Sequence, residues 1–216
     1  STLFPFAPPR ATAAIGAQGQ SELLGAERST IYEAGLRSTP VRGLALEGAF
    51  FFQRFENQIV PNTTLAGGTE LVNGGATKSI GGEGSLRIEI MKLASLDQLA
   101  LVDVGSRAGV LHATFDGGPN AGNTLPYAPA YTFSATLDVG APTIGLVGEL
   151  SYTRVGSQYS DDENTVLADA SGRVGEIDAY DAVDVSLRYR VAKTGLYLMA
   201  TGKSLLDRPY VASRRP

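Results

Sequence analysis

The chain has 216 residues, a formal net charge of −4, 26 glycines, 8% aromatic residues and no cysteine. The charge balance provides no broad basic field, so nucleic acid is not an expected partner, and the lack of cysteine excludes disulfides and thiolate metal sites. No long uninterrupted apolar run occurs, which excludes a membrane-spanning helix; it leaves a β-barrel open, whose strands hide an apolar half in every second residue and keep mean hydropathy near zero.

In chain order, Ser1 to Phe6 reads as the end of a strand stopped by Pro8 and Pro9, and the polar run to Glu27 as a loop. This start lacks the charged and apolar regions of a signal peptide, so nothing in it directs export, and if the chain were to reach an outer membrane its signal would have to lie upstream of Ser1. After Arg28, Tyr32, Ala34 and Leu36 oppose Glu33 and Arg37, and a short turn centred on Pro40 leads into a strand from Leu44 to about Val60. Leu44, Leu46, Phe50 and Phe52 there oppose Ala45, Glu47, Ala49, Phe51 and Gln53. That strand is too long for an ordinary sandwich.

Pro61 to Gly75 is a long polar connection, after which Glu83, Ser85, Arg87 and Glu89 alternate with Leu86, Ile88 and Ile90. A brief link near Lys92 to Asp97 precedes the least regular strand, Gln98 to Phe115, where Asp103 and His112 break the pattern. Asp116 to Ala130 is turn-rich. Tyr131, Phe133, Ala135, Leu137 and Val139 then oppose Thr132, Ser134, Thr136 and Asp138, and Gly140 to Pro142 reverses the chain. The next strand sets Ile144, Leu146, Leu150 and Tyr152 against Thr143, Glu149, Ser151 and Thr153 and runs to about Gln158. Tyr159 to Asp181 is the longest loop.

Ala182 to Lys203 reads as two strands folded back around Ala192, Lys193 and Thr194. In the first, Val183, Val185, Leu187, Tyr189 and Val191 alternate with Asp184, Ser186, Arg188 and Arg190. This hairpin alone fits a barrel strand, with lipid on its apolar side, and a soluble sandwich strand, with a core there, equally well. The connections separate the two. Short ones at Pro40, Lys92, Pro142 and Lys193 alternate with long ones, so every long connection lies at one end. The expected fold is therefore all-β: an antiparallel up-and-down meander of about eight long strands, a fragment of a transmembrane β-barrel with its long loops outside the cell.

Several stretches resemble the C-terminal half of TonB-dependent outer-membrane receptors of the ferric-citrate and ferric-siderophore type. They are "STIYEAGLR", "FFQRFENQIV", "LVNGGATKSIGGEG" with its Asn73, Gly74 and Glu83, "GNTLPYAPAYTFSATL", "YSDDENT" and "GKSLLDRPYVASRRP". They follow the family's order over nearly the whole chain. Two departures stand out: Ser204 occupies the usual asparagine position before "LxD", and the chain stops at Pro216, before the closing strand that normally follows. The resemblance implies a partial barrel domain over residues 1–216, roughly strands fourteen to twenty-one of a barrel of about 22, with the plug domain and the TonB-engaging segment elsewhere. It implies as partners a ferric chelate, the plug of the same full-length chain, TonB and outer-membrane lipid. A passive porin-like channel and a soluble carbohydrate-binding β-sandwich are the alternative readings.

The residues themselves suggest no catalysis. His112 is the single histidine, and "GSRAG" at Gly105 to Gly109 lacks nucleophile-elbow spacing and sits within a strand. "GGATKS" at Gly74 to Ser79 has Thr77 where a phosphate loop needs glycine, and no helix follows. Asp161, Asp162, Glu163 and Asn164 carry oxygen ligands without the spacing of a calcium loop, so neither metal nor cofactor is expected. The candidate ligand-binding groups are these four with Arg173 of the same loop and Arg188 and Arg190 of the lumen face. Glu33, Arg37, Glu47, Arg87, Glu89, Glu149 and Asp184 share the polar faces, where paired charges suit a hydrated lumen. Tyr131, Tyr152, Tyr159 and Tyr189 near strand ends suit aromatic girdles.

Overall fold

A computed structural model describes residues 14–15, 21–22, 25–57, 59–61, 71–73, 75–97, 99–170, 172 and 174–214. The strand end expected at Ser1 to Phe6, most of the connection from Pro61 to Gly75, and Arg173 lie outside the described residues. The main sheet is built from β1 (Arg28–Val41), β2 (Leu44–Glu56), β3 (Thr77–Glu89), β4 (Leu101–Phe115), β5 (Tyr131–Ala141), β6 (Leu146–Val155), β7 (Tyr180–Arg190) and β8 (Tyr197–Gly202). Each strand pairs antiparallel with its neighbours in sequence, and β1 and β8 form the two edges. Two-residue and three-residue ribbons occupy the loops, and the one helix among the described residues, α1 (Ile90–Leu93), has four residues.

Because paired residues in a ladder share a face, register assigns every side chain to a side. Arg37 pairs with Glu47, Glu47 with Ser85, Ser85 with Arg107, Arg107 with Ser134, Ser134 with Thr153, and Thr153 with Ala182. That chain of pairs defines the polar face, and it includes Asp184, Ser186, Arg188 and Arg190 by alternation along β7. The opposite face carries Leu36, Phe50, Ile80, Val110, Leu137, Leu150 and Leu187.

No second sheet faces the main one among the described residues. The apolar face is therefore open, with Leu36 74% exposed and Phe50 54% exposed, while Ala113 and Ile177 are the buried hydrophobic residues among those described. A sandwich would bury one whole face of each sheet. The carbohydrate-binding sandwich reading is thus corrected: this is a single-layer sheet.

Local details differ from the sequence expectations. The first turn lies at Arg42 and Gly43 rather than Pro40, which stays in β1 where the register slips between Ser38 and Val41; Gly43, at φ +86°, takes the left-handed conformation that closes the turn. β2 ends at Glu56 instead of near Val60, because Asn57 turns the chain at φ +57°. The link near Lys92 contains α1, so β4 begins at Leu101 rather than Gln98. Ile144 belongs to the turn before β6 and not to the strand. The irregular β4 holds an unbroken register with β3 from Glu89 opposite Asp103 to Thr77 opposite Phe115.

Candidate functional site

The polar face encloses an open trough of about 1030 Å³ whose lining includes Glu33, Arg37, Glu47, Glu83, Arg107 and Thr153. Alternation puts these groups there, and their charges are only partly matched. Arg37 meets Glu47 at 2.7 Å, both well exposed, whereas Arg107 has no ion-pair partner among the described residues. Exposed pairs of this kind contribute at most about 1 kcal/mol, so the trough is a hydrated, mixed-charge wall rather than a locked network.

Nearer the short-turn end, register lines up Glu89, Asp103, Asp138 and Glu149 on successive strands. Asp103 is 6% exposed and accepts from Arg87 Nη2 at 2.8 Å, while Glu89 binds Lys92 Nζ at 2.7 Å. Asp103 thus fits the strand it was expected to disrupt, because Arg87 offsets its burial. Among the described residues no group of three or more His, Asp or Glu has metal-holding geometry. His112 lies exposed on the apolar side of β4, opposite Ile80, away from the trough.

The longest loop, between β6 and β7, is folded onto itself and onto the loop between β4 and β5. Asp161 Oδ1 accepts hydrogen bonds from the Glu163 amide at 3.0 Å, the Thr165 amide at 3.2 Å and Thr165 Oγ1 at 3.0 Å. Asn164 Oδ1 accepts from the Thr124 amide and its Nδ2 donates to the Thr124 carbonyl, both at 2.7 Å. Asn123 Nδ2 donates to the Asp162 carbonyl at 2.9 Å, and the Tyr127 amide to the Tyr159 carbonyl at 2.8 Å. Tyr159 is therefore part of the loop assembly, whereas Tyr131 and Tyr152 share the apolar face at one end of the sheet and Tyr189 lies on it at the other. Asp162, Glu163, Asp169 and Asp178 are acids of this loop that reach solvent. Loss of surrounding water, then the neighbouring Asp161 and Glu163, raise the Asp162 carboxyl above its usual range.

The candidates from sequence thus fall into two places. Asp161, Asp162, Glu163 and Asn164 share the long-loop end, while Arg188 and Arg190 occupy the far end of β7 beside the last short turn. Roughly 30 Å of strand separates them at about 3.3 Å per residue. Sequence reasoning missed Asn123 and Thr124, which anchor the loop, and the C-terminal stretch, where Arg214 Nη1 donates to the Gly172 carbonyl at 2.9 Å and Tyr210 stacks on Tyr180 at 4.4 Å. Tyr127 Oη also donates to the Arg214 carbonyl. No local motif marks these contacts, because each joins segments far apart in the chain.

Residues 3–201 match the family model described as TonB dependent receptor-like, beta-barrel. No curated protein matches the sequence significantly. Among solved structures, the ferric citrate transporter FecA in its unliganded form is 24% identical with a TM-score of 0.72, covering 86% of this chain and 27% of that one. The ferric yersiniabactin uptake receptor FyuA from Yersinia pestis is 20% identical with a TM-score of 0.70, covering 89% and 27%. The copper transporter OprC is 12% identical with a TM-score of 0.67, covering 88% and 27%. The chain spans about a quarter of the length of these structures.

Proposed function

The chain belongs to the TonB-dependent receptor-like β-barrel family, and from that premise we propose that residues 1–216 are part of the barrel of an outer-membrane receptor that takes up a ferric chelate. The observation that carries this reading is the single-layer sheet, apolar and uncovered on one side and polar around a trough on the other. Strands of 10 to 15 residues from β1 to β7, tilted, suit an apolar band of about 25 Å. In lipid the uncovered face is stabilised where water would penalise it.

The chain's own residues then divide the work. The trough, with exposed charges such as Glu33, Glu83 and Arg107, suits contact with a plug that must later move, because weak screened pairs release more readily than a dry interface. The knitted loops at the other end suit a cover over the chelate, with Asp162 and Glu163 on the water side and Arg173 of the same loop as its cation. Arg188 and Arg190 would meet an anionic ligand only deep in the lumen, as a second stage of passage. Energy input would come from TonB acting on the plug.

The test is uptake of radioactive ferric citrate and of ferric siderophores by iron-starved cells carrying the full-length receptor. Deleting Glu163 to Gly172 is expected to weaken uptake at equal surface levels with barrel assembly intact, because outer loops tolerate shortening better than strands do. No uptake of any ferric chelate, with copper transported instead, would overturn the iron assignment.

A further inference from the structure

Three of the four connections at the short-turn end are brief, but the one between β3 and β4 runs from Ile90 to Ala100 and is folded into a compact unit around α1. It is held at several points. The Leu96 amide donates to the Met91 carbonyl at 2.7 Å, and the Glu89 amide to the Gly43 carbonyl at 2.7 Å. Gly43 lets the first turn press against it: a Cβ there would meet the Glu89 carbonyl oxygen at 2.9 Å and the Leu93 nitrogen at 3.1 Å. Arg42 Nη2 then ties the two turns together by binding Asp97 Oδ2 at 3.0 Å.

This fixed unit displays aliphatic side chains instead of hiding them. Ile90, Leu93, Leu96 and Leu99 are 39–69% exposed. Its charges, by contrast, are turned inward and paired. Lys92 reaches Glu89 on the trough side of β3, and about 100° of rotation per helical residue sets Ile90 and Ala94 away from it, next to Ile88 of the apolar face. That face has a polarity along the strands as well. By register its Asp, Glu, Lys and Arg residues, which are Arg28, Arg54, Glu56, Lys78, Arg154 and Asp181, all lie at the long-loop end. At the short-turn end it presents Leu44, Ile88, Val102, Val139, Leu146 and Tyr189. The exposed aliphatics of the turn therefore continue an uncharged surface beyond the ends of the strands.

We propose that the turn between β3 and β4 is a membrane anchor, with Ile90, Leu93, Leu96 and Leu99 entering the lipid leaflet at the short-turn end, at the boundary of headgroups and acyl chains. The inference rests on the barrel reading above. Water would penalise so many fixed aliphatic groups, whereas that boundary accepts an apolar surface whose charges are turned to the other side. Lipid is the occupant because the patch runs without interruption into the face that the barrel turns to the membrane.

The test uses the full-length receptor in phosphatidylcholine vesicles, with a fluorophore on one cysteine at a time: Leu96→Cys, Leu99→Cys, Leu187→Cys on the sheet and Glu163→Cys in the outer loop. Quenching is read with a phospholipid brominated near the top of its acyl chains and with iodide present on both sides of the vesicle. Labels at Leu96 and Leu99 are expected to be quenched by the brominated lipid, and by iodide at least about threefold less than the label at Glu163, as for a group at the headgroup boundary. Two positions are used so that one poorly folded variant does not decide the result. Iodide access equal to that at Glu163 would show a turn projecting into water and overturn the proposal. Shielding from both quenchers would show a turn covered by protein and overturn it equally. Leu187 separates the two readings: if its label is quenched by the brominated lipid and those at Leu96 and Leu99 are not, the anchor alone fails, whereas no lipid quenching at Leu187 sinks the barrel reading and the anchor together.

Discussion

Asn164 and Thr124 hold each other by two hydrogen bonds of 2.7 Å, the Asn164 side chain accepting from the Thr124 amide and donating to its carbonyl. The amide side chain thereby imitates a strand neighbour, and it joins two long loops separated by 40 positions in sequence. Asn164 sits at φ +56°, which asparagine adopts more readily than most residues.

Asn164→Ala should therefore loosen the outer assembly without touching the sheet. Leaving the Thr124 amide and carbonyl without partners costs about 1–3 kcal/mol where water cannot replace them. Amide exchange across 156–179 should accelerate while β5 and β6 keep their protection. Unchanged exchange in the loop would refute the role assigned to this contact.

Asp162 makes the same assembly sensitive to pH. Its carboxyl is raised by loss of water and then by Asp161 and Glu163, so the folded loop holds the proton more tightly than the unfolded chain does. Stability from this group is present below the ordinary carboxylate range and is lost as pH rises through the raised folded value. Proteolysis of the loop should accordingly speed up across that window, and Asp162→Asn should flatten the response. A wild-type rate that does not change with pH would count against it.

Gly81 is a packing constraint on the polar face. A Cβ there would meet Phe51 Cζ at 2.6 Å and the Val110 carbonyl oxygen at 2.6 Å, and the second contact is backbone that cannot swing away. Gly81→Ala should destabilise the receptor by about 1–3 kcal/mol, read as a lower urea midpoint in lipid. Adding Phe51→Ala should recover part of the loss, since only the ring is cleared.

Leu187 and Arg188 test the facing. They are neighbours on β7 but pair with Gly148 and Val147 on opposite sides of the sheet. Spin labels at the two positions in the full-length receptor should respond oppositely, Leu187 to a lipid-soluble quencher and Arg188 to a water-soluble one. Moving a cation to the apolar side, as in Leu187→Arg, should cost roughly 2–4 kcal/mol near the bilayer midplane.

Alternation is a local property of extended backbone, which is why sequence alone identified the two-faced strands and placed Leu187 and Arg188 on opposite sides before any partner strand was known. The alternating loop lengths likewise dictated a meander, since short turns permit pairing only between neighbours. Register is not local. It depends on pairing along whole ladders, so tertiary structure had to decide that Asp103 enters β4 in step because Arg87 reaches it from β3. Pairing likewise gathered the charges of the apolar face at one end and set Arg188 and Arg190 a full strand length from Asp161 and Asn164. Position along the chain also gave no sign that Asn164 would find Thr124, because that contact forms only after β4, β5 and β6 are aligned and carry the two loops to the same end of the sheet.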